Sequence, residues 1–259
     1  MPPVIIAPES RSACRCEMYF GEQYLACATA AFYRSGNTTF LISNWHNFSG
    51  RNPQTMQPLA EHGGVPDKIR VCVPAMKNLP KSPWLEFPLV DPGGNPLWRQ
   101  HPNGPGVDVA ALAVTIPPGV ECFSLNDLTD DPHAKLKVAA NVYILGFPRG
   151  IAVSSVFPVW KRATLASEPG FDLDGYPMML VDTATREGMS GSPVFLESSY
   201  VTGDWQVKGD PTHDNEPWRA SPKYSFIGIY SGRVGDNTFQ AQLGIVWKRR
   251  VIDELLGKA

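Results

Sequence analysis

Short apolar runs bounded by glycine, proline or polar residues recur along the 259 residues of this chain. Runs 23–34 and 37–44 flank a Ser-Gly turn and predict a β-hairpin. The 23 glycines and 25 prolines supply the turns that a chain of short strands requires. This pattern of about a dozen runs predicts an all-β fold of the sandwich or barrel class. The other runs lie at 69–75, 84–90, 109–116, 137–147, 152–166, 177–184, 192–196, 204–209, 223–232 and 241–248.

The end of the chain and its middle differ from this strand pattern. Residues 248–258 have helical spacing, with an apolar stripe and Gly257 as a stop, and predict a C-terminal helix. The polar segment 125–135 separates two strand-rich halves. We therefore expect two domains of ordinary size, residues 1–128 and 129–259.

Charge and hydropathy exclude several classes of partner. A formal net charge of −2 gives no general attraction for nucleic acid, and Lys248, Arg249 and Arg250 form the only basic cluster. No apolar stretch reaches the ~18 residues of a membrane helix. The N-terminal MPPVIIAPES lacks the basic n-region of a secretory signal. We therefore expect a cytoplasmic chain that binds neither nucleic acid nor membrane.

The five cysteines, at positions 14, 16, 27, 72 and 122, form no recognisable site. Their number is odd and no C-x-x-C pair occurs, so neither a disulfide framework nor a zinc site is indicated. We expect reduced thiols in packed or loop positions, and no metal.

Three residues carry the candidate chemistry. Ser190 lies in REGMSGSPVF, where crowding by glycines indicates either a turn or a nucleophile. A serine nucleophile needs a base, usually histidine, and a group that orients the base. His46, in FLISNWHNFSG, follows a strand and precedes a glycine-containing loop, which suits a side chain presented at a cleft. Asp108 starts an apolar strand, where a buried carboxylate needs a partner such as an imidazole N–H.

The α/β-hydrolase pattern does not fit. Its nucleophile elbow is G-x-S-x-G, whereas residues 188–192 read G-M-S-G-S, and Pro193 follows where a helix should begin. The chain order of that class would also require His213 as the base, only 23 residues after Ser190.

The order His46, Asp108, Ser190, in the motifs ISNWHNF, VDVAALAV and GMSGSP, resembles the chymotrypsin-like (trypsin-like) serine peptidase superfamily, closest to its bacterial trypsin-like members. VYILGFPRG (142–150) and FIGIYSGR (226–233) are similar to the turn that opens the second barrel and to the strand that lines the cleft. The resemblance covers nearly the whole chain.

The resemblance implies two packed, antiparallel six-stranded β-barrels with the active site between them. The first would carry His46 and Asp108, and the second would carry Ser190 and the specificity pocket and end in the helix. It implies a serine endopeptidase that needs no metal or organic cofactor and acts on a protein or peptide substrate. A regulatory partner protein is one way in which such a peptidase is restrained.

Each motif position implies a role. Ser190 is the nucleophile, His46 the general base, and Asp108 the residue that fixes the imidazole tautomer. The backbone N–H groups of Gly188 and Ser190 form the oxyanion hole. Ser231 matches a serine that donates a hydrogen bond to the catalytic aspartate.

The expected specificity pocket departs from that of trypsin. Ala184 stands at its base and carries no charge, so a preference for Lys or Arg is not supported. Arg186 and Arg233 lie near the pocket in sequence and could favour an acidic side chain, but both are expected to be solvated loop residues. Met189 replaces the aspartate that pairs with a new N-terminus in animal digestive members, which indicates a preformed site or one switched by a partner. The remaining substrate-binding candidates are Tyr230, Ser231, Gly232 and Arg233.

The histidines outside the triad, which lie in loops rich in Pro, Gly and Asp, are predicted to be surface residues; they are His62, His101, His133 and His213.

A catalytically silent or latent peptidase fold that binds peptides or partner proteins is the alternative function, because peptidase folds can lose activity and persist as binding modules.

Overall fold

Thirteen strands form two antiparallel sheets in the part of the chain that the computed structural model describes, namely residues 5–74, 82–128, 130–132, 134–184, 186–198, 223–233 and 242–258. The first sheet contains β1 (Cys14–Phe20), β2 (Gln23–Ser35), β3 (Thr38–Ser43), β4 (Lys68–Cys72), β5 (Trp84–Pro88), β6 (Trp98–Gln100) and β7 (Ala110–Val114). The second contains β8 (Asn141–Gly146), β9 (Val159–Leu165), β10 (Met178–Asp182), β11 (Pro193–Ser198), β12 (Lys223–Arg233) and β13 (Leu243–Lys248). The helices are α1 (Trp45–Ser49) and α2 (Arg250–Leu256).

The second sheet closes into a barrel and the first does not. The barrel has the order β10-β13-β12-β11-β8-β9, so its six strands agree with the expectation. The first sheet has seven strands in the order β5-β4-β1-β2-β3-β7-β6, one more than expected. The additional strand is the three-residue β6, which pairs along β7 from Trp98 opposite Leu112 to Gln100 opposite Ala110. The all-β fold and the C-terminal helix are confirmed.

The predicted hairpin of β2 and β3 is present, and its side chains alternate between two cores. β2 and β3 pair in register from Ala31 opposite Ile42 to Ser35 opposite Thr38, and Gly36 turns the chain with a φ of 56°. Alternate side chains of β2 point to opposite faces, as the period of a strand requires. Ala30 and Phe32 enter the core inside the first sheet, whereas Ala31 and Tyr33 enter a core shared with the barrel.

The shared core fixes the two sheets against each other. Phe147 and Phe195 of the barrel half meet Val109 of the first half there, together with Val251 and Leu255 of α2. The barrel interior holds a separate apolar cluster that includes Ile144, Met189 and Val246. The predicted strand at 204–209 lies outside the described residues.

Residues near both ends of the chain contact the opposite half of the molecule. Near the N-terminus, Trp160 of β9 donates a 2.8 Å hydrogen bond from its indole N–H to Ser10 Oγ. At the C-terminal end, Tyr33 of β2 donates to Asp253 of α2 at 3.2 Å. The two halves are thus held together near both chain termini by contacts between residues distant in sequence.

Candidate active site

His46 is carried by the single turn of helix α1, directly after β3. Asn44 precedes the turn in an extended conformation, and Gly50 ends it in the left-handed region with a φ of 63°. The Gly50 N–H donates to the His46 carbonyl oxygen at 2.9 Å. A short helix therefore stands where the sequence indicated a strand end and a loop, and it leaves the His46 side chain 18% exposed.

Asp108 is buried and contacts His46 at two points. Its Oδ1 accepts from the His46 backbone N–H at 2.9 Å, and its Oδ2 lies 2.7 Å from His46 Nδ1. Because a carboxylate only accepts, Nδ1 carries the proton and Nε2 of the neutral ring is free to act as a base. Ser231 Oγ donates to the same Oδ2, and Asn44 Nδ2 donates to the Asp108 carbonyl at 2.7 Å.

The pKa of His46 is raised from its ordinary value. Burial acts in the opposite direction, because it disfavours the charged imidazolium. The negative charge of Asp108 and its hydrogen bond to the ring together outweigh burial. Asp108 thus stabilises the protonated His46 ring, which is the state of a general base after it has taken a proton.

Ser190 lies in the tight segment that precedes β11. Gly188 and Gly191 on either side have φ values of 90° and 83°, which favour glycine. A Cβ at Gly188 would overlap the Phe147 carbonyl oxygen, and a Cβ at Gly191 would overlap that of Thr29. The glycines therefore allow the segment to approach both halves of the molecule closely.

The Ser190 hydroxyl lies at the same cavity as His46. Its Oγ donates to the Ser231 carbonyl oxygen at 3.4 Å, a long hydrogen bond. The serine side chain is thus within the cleft and is held only weakly.

The backbone around Ser190 leaves two donors unused. The N–H groups of Gly188 and Ser190 make no hydrogen bond to any other group in the described part of the chain. Most of their neighbours are engaged: Gly191 N–H donates to the Tyr230 carbonyl at 2.9 Å and Ser192 N–H to the Met189 carbonyl at 3.1 Å. An anionic oxygen near Ser190 would find these two donors available.

Two cavities meet at His46. One has a volume of about 610 Å³ and reaches Ser190 and Gly188, with an apolar wall that includes Met18, Leu25, Leu59 and Pro66. The other has a volume of about 780 Å³ and reaches Asp108 and Ser231, with a wall that includes Tyr176, Met178, Ile245 and Trp247. The cleft is therefore open and largely apolar on both sides of the His46 ring.

Only some of the other residues predicted near the specificity pocket line a cavity. Ala184 and Arg186 are exposed, and Ser231 and Gly232 line the second cavity. Tyr230 is only 1% exposed and lies in the barrel core, so its ring is beneath the cleft surface. Arg233 ends β12, and its side chain lies outside the described residues.

Met189 is fully buried in the apolar barrel core. It brings no charge to the segment that carries Ser190.

Sequence reasoning missed a polar network beneath the site. Thr29 of β2 is fully buried and donates from Oγ1 to the Gly188 carbonyl at 2.9 Å. Ser43 Oγ donates to the Thr29 carbonyl at 2.7 Å, and Asn47 Nδ2 donates to Ser43 Oγ at 2.9 Å. Gly188, which accepts from Thr29, lies 159 positions away along the chain, and no local spacing reveals such a contact.

The prediction for His101 was wrong. Its side chain is 4% exposed, and its Nε2 lies 2.8 Å from Glu254 Oε2 on α2. The loop composition indicated a surface position, but packing of the C-terminal helix covers this loop. His62 is exposed as predicted, and His133 and His213 lie outside the described residues.

The described residues contain no group of three His, Cys, Asp or Glu side chains placed to hold a metal ion. None of their helices combines the length and apolar character that crossing a membrane would need.

No protein-family model matches the sequence, and no curated protein is similar to it. Solved structures are similar over nearly the whole chain. The HtrA-type protease AlgW, in a mutant with a tripeptide, has a TM-score of 0.54 at 12% identity, over 96% of this chain and 60% of that one. This chain thus spans less than two thirds of that protein's length.

Two other structures give the same result. A serine endoprotease from Yersinia pestis has a TM-score of 0.54 at 11% identity, over 99% of this chain and 67% of that one. An inactive serine-to-alanine mutant from M. tuberculosis H37Rv has a TM-score of 0.51 at 16% identity, over 96% and 87%. The likeness at these identities establishes architecture: the chain has the fold of the chymotrypsin-like serine peptidases.

Proposed function

We propose that the protein is a serine endopeptidase that cleaves peptide bonds through an acyl-enzyme intermediate. The observation that carries the proposal is the double contact of Asp108 with His46, which fixes the imidazole with Nε2 as its free base. A buried carboxylate aligned on a histidine beside a glycine-flanked serine is the arrangement that activates a hydroxyl nucleophile.

The first half-reaction uses three groups. Ser190 Oγ forms a bond to the scissile carbonyl carbon while His46 Nε2 takes the hydroxyl proton. The N–H groups of Gly188 and Ser190 donate to the oxygen that becomes negative. His46 then gives its proton to the leaving amine as the carbon–nitrogen bond breaks, which leaves Ser190 acylated. In the second half-reaction water attacks the acyl carbon by the same proton path, and the Ser190 hydroxyl is restored.

To donate to His46, the Ser190 hydroxyl has to give up its present acceptor, because it has a single proton. The serine hydroxyl now donates to the Ser231 carbonyl at 3.4 Å. Serine side chains change rotamer readily, and catalytic hydrogen bonds commonly tighten only when substrate is bound. The two cavities beside His46 offer space for chain on both sides of the reacting bond, with apolar walls that suit apolar side chains.

The position of the Ser190 hydroxyl also supports a second candidate function. If the hydroxyl stays on the Ser231 carbonyl, the cleft binds peptides without cleaving them. The similar AlgW structure was solved with a tripeptide, in keeping with a peptide as the ligand in either case.

Incubation with a mixture of peptides of varied sequence, followed by mass spectrometry of the products, separates the two functions. We expect cleavage by the wild type and by the control Ser35→Ala, which changes the last residue of β2, and none by Ser190→Ala. Equal retention of uncleaved peptides by all three proteins would instead establish the binding function.

A further inference from the structure

Thr29 lies in the first sheet but contacts the Ser190 segment of the other half. It is the only hydroxyl residue in the run ACATAAF of β2, and its side chain is fully buried. Its backbone N–H donates to the Ser190 carbonyl oxygen and its Oγ1 donates to the Gly188 carbonyl oxygen, both at 2.9 Å. One residue thus binds two carbonyl groups of the candidate nucleophile segment.

The direction of the Thr29 hydroxyl is determined by a third contact. The Phe147 N–H donates to Thr29 Oγ1 at 3.3 Å. A hydroxyl that accepts there still has one proton to donate, and the Gly188 carbonyl receives it. Because all of these groups are buried, loss of the hydroxyl would leave a carbonyl and an N–H without partners.

The peptide bond before Gly188 is anchored as well. The Arg149 N–H donates to the Glu187 carbonyl oxygen at 2.7 Å. In a trans peptide the N–H points opposite to the carbonyl, so the Gly188 N–H points away from Arg149. Arg149 makes this contact with a φ of 51°, in the left-handed region that costs free energy for a residue with a Cβ. The carbonyls on both sides of Gly188 are therefore fixed, and the intervening N–H cannot turn freely.

The apolar environment of Met189 makes these contacts important. Met189 is fully buried among apolar side chains and offers its segment no side-chain hydrogen bond. Within the described residues, two polar side chains of the first half contact the segment: Thr29 binds the Gly188 carbonyl, and Asn47 Nδ2 lies 3.4 Å from the Ser190 carbonyl. Asn47 follows His46 in α1, so the same network contacts both sides of the cleft.

We propose that Thr29 is a positioning residue that holds the Gly188 and Ser190 N–H groups ready to receive an oxyanion. That these N–H groups receive an oxyanion rests on the proposed function. The anchoring of the segment by the Thr29 hydroxyl is independent of activity. The first sheet thereby controls the geometry of donors that belong to the barrel.

Three variants test the role of the hydroxyl. Thr29→Val removes it with almost no change in shape, Thr29→Ser retains it, and Thr164→Val makes the same chemical change on β9. Thr29→Ala replaces Thr29→Val if the valine variant does not fold. The first readout is the rate at which a fluorophosphonate modifies Ser190, since its phosphoryl oxygen takes the oxyanion position. The second is hydrogen–deuterium exchange of the peptide covering residues 186–192.

Removal of an oxyanion donor lowers kcat by about 10²–10³-fold. Thr29→Val only loosens the donors, so we expect the rate of Ser190 modification to fall about 10-fold. In Thr29→Ser the rate should stay within about threefold of wild type. In peptide hydrolysis the loss should fall on kcat and leave KM nearly unchanged. Exchange in 186–192 should accelerate in Thr29→Val and not in Thr164→Val.

Wild-type rates and wild-type exchange in Thr29→Val would overturn the proposal. The proposal would also be overturned if Thr29→Ser reacted as slowly as Thr29→Val, because Thr29→Ser retains the hydroxyl. If the folded wild type is not modified at all, the proposed function fails, and exchange alone decides. Faster exchange confined to the hydroxyl-free variant then supports the anchoring by Thr29, and unchanged exchange refutes it.

Discussion

Asp108 binds His46 through both of its carboxylate oxygens, one on the backbone N–H at 2.9 Å and one on the ring Nδ1 at 2.7 Å. A single buried side chain thus fixes both the start of helix α1 and the orientation of the imidazole. This relationship couples the local fold to the protonation of the candidate base, and it makes the behaviour of His46 with pH predictable.

The pH dependence of peptide hydrolysis should reflect the raised pKa of His46. Since the neutral ring is the base, kcat/KM should rise with pH through a midpoint above about 6.5, the ordinary value for histidine. Asp108→Asn should move this midpoint down, because burial remains while the negative charge is lost. It should also lower kcat by about 10⁴-fold, since the ring loses its tautomer control.

Measurement of kcat/KM between pH 5 and 9 checks this prediction, with the exposed Asp174→Asn as the matched control. A wild-type midpoint at or below the ordinary histidine value would contradict the electrostatic role of Asp108. An Asp108→Asn profile identical to wild type would contradict it equally.

Ser231→Ala should weaken the structure around Asp108. Ser231 Oγ donates to Asp108 Oδ2, and the carboxylate is buried. Loss of a hydrogen bond to a buried charged group should lower the free energy of unfolding by about 1–3 kcal/mol. Activity should fall less than in Asp108→Asn, because the contact between Asp108 and His46 remains. Urea denaturation at neutral pH measures the first effect, and stability equal to that of Ser35→Ala would show that the bond contributes nothing.

Gly191→Ala should be far more damaging than Gly36→Ala. Gly191 has a φ of 83°, and a Cβ there would overlap the Thr29 carbonyl oxygen and Ser43 Oγ. Gly36 has a φ of 56° with no atom within 4 Å of its Cβ position, so Gly36→Ala carries the conformational cost without the overlap. We expect Gly191→Ala to have a much lower Tm than Gly36→Ala, and equal Tm values would show that the approach of Ser190 to β2 is not close.

Local patterns in the sequence were sufficient to predict much of the fold. The hairpin of β2 and β3 follows from two apolar runs and a Ser-Gly turn, and α2 follows from its apolar stripe. β1 was not predicted, because CRCEMYF alternates apolar with charged residues and contains no continuous apolar run of the kind from which the other strands were predicted. β6 has only three residues, too few for any periodicity. Strands of these two kinds are established by pairing with neighbours rather than by composition.

The candidate site was also predicted only in part from the sequence. The motifs around His46 and Asp108 led to residues that the structure places in contact, and Ser190 borders the same cavity as His46. Thr29 was not predicted because a single threonine in an alanine-rich strand carries no local signal, and its partners lie far along the chain. His101 was placed at the surface because the pattern of its loop does not include the helix that covers it.

In the proposed function, Ser190 and His46 form one reactive unit. The most direct test is the intact mass of the protein after treatment with a fluorophosphonate, for wild type, Ser190→Ala and His46→Ala. We expect a single adduct on the wild type and none on either folded variant, because the hydroxyl reacts only when the imidazole takes its proton. A folded wild type without an adduct, or an adduct that persists in Ser190→Ala, would contradict the claim.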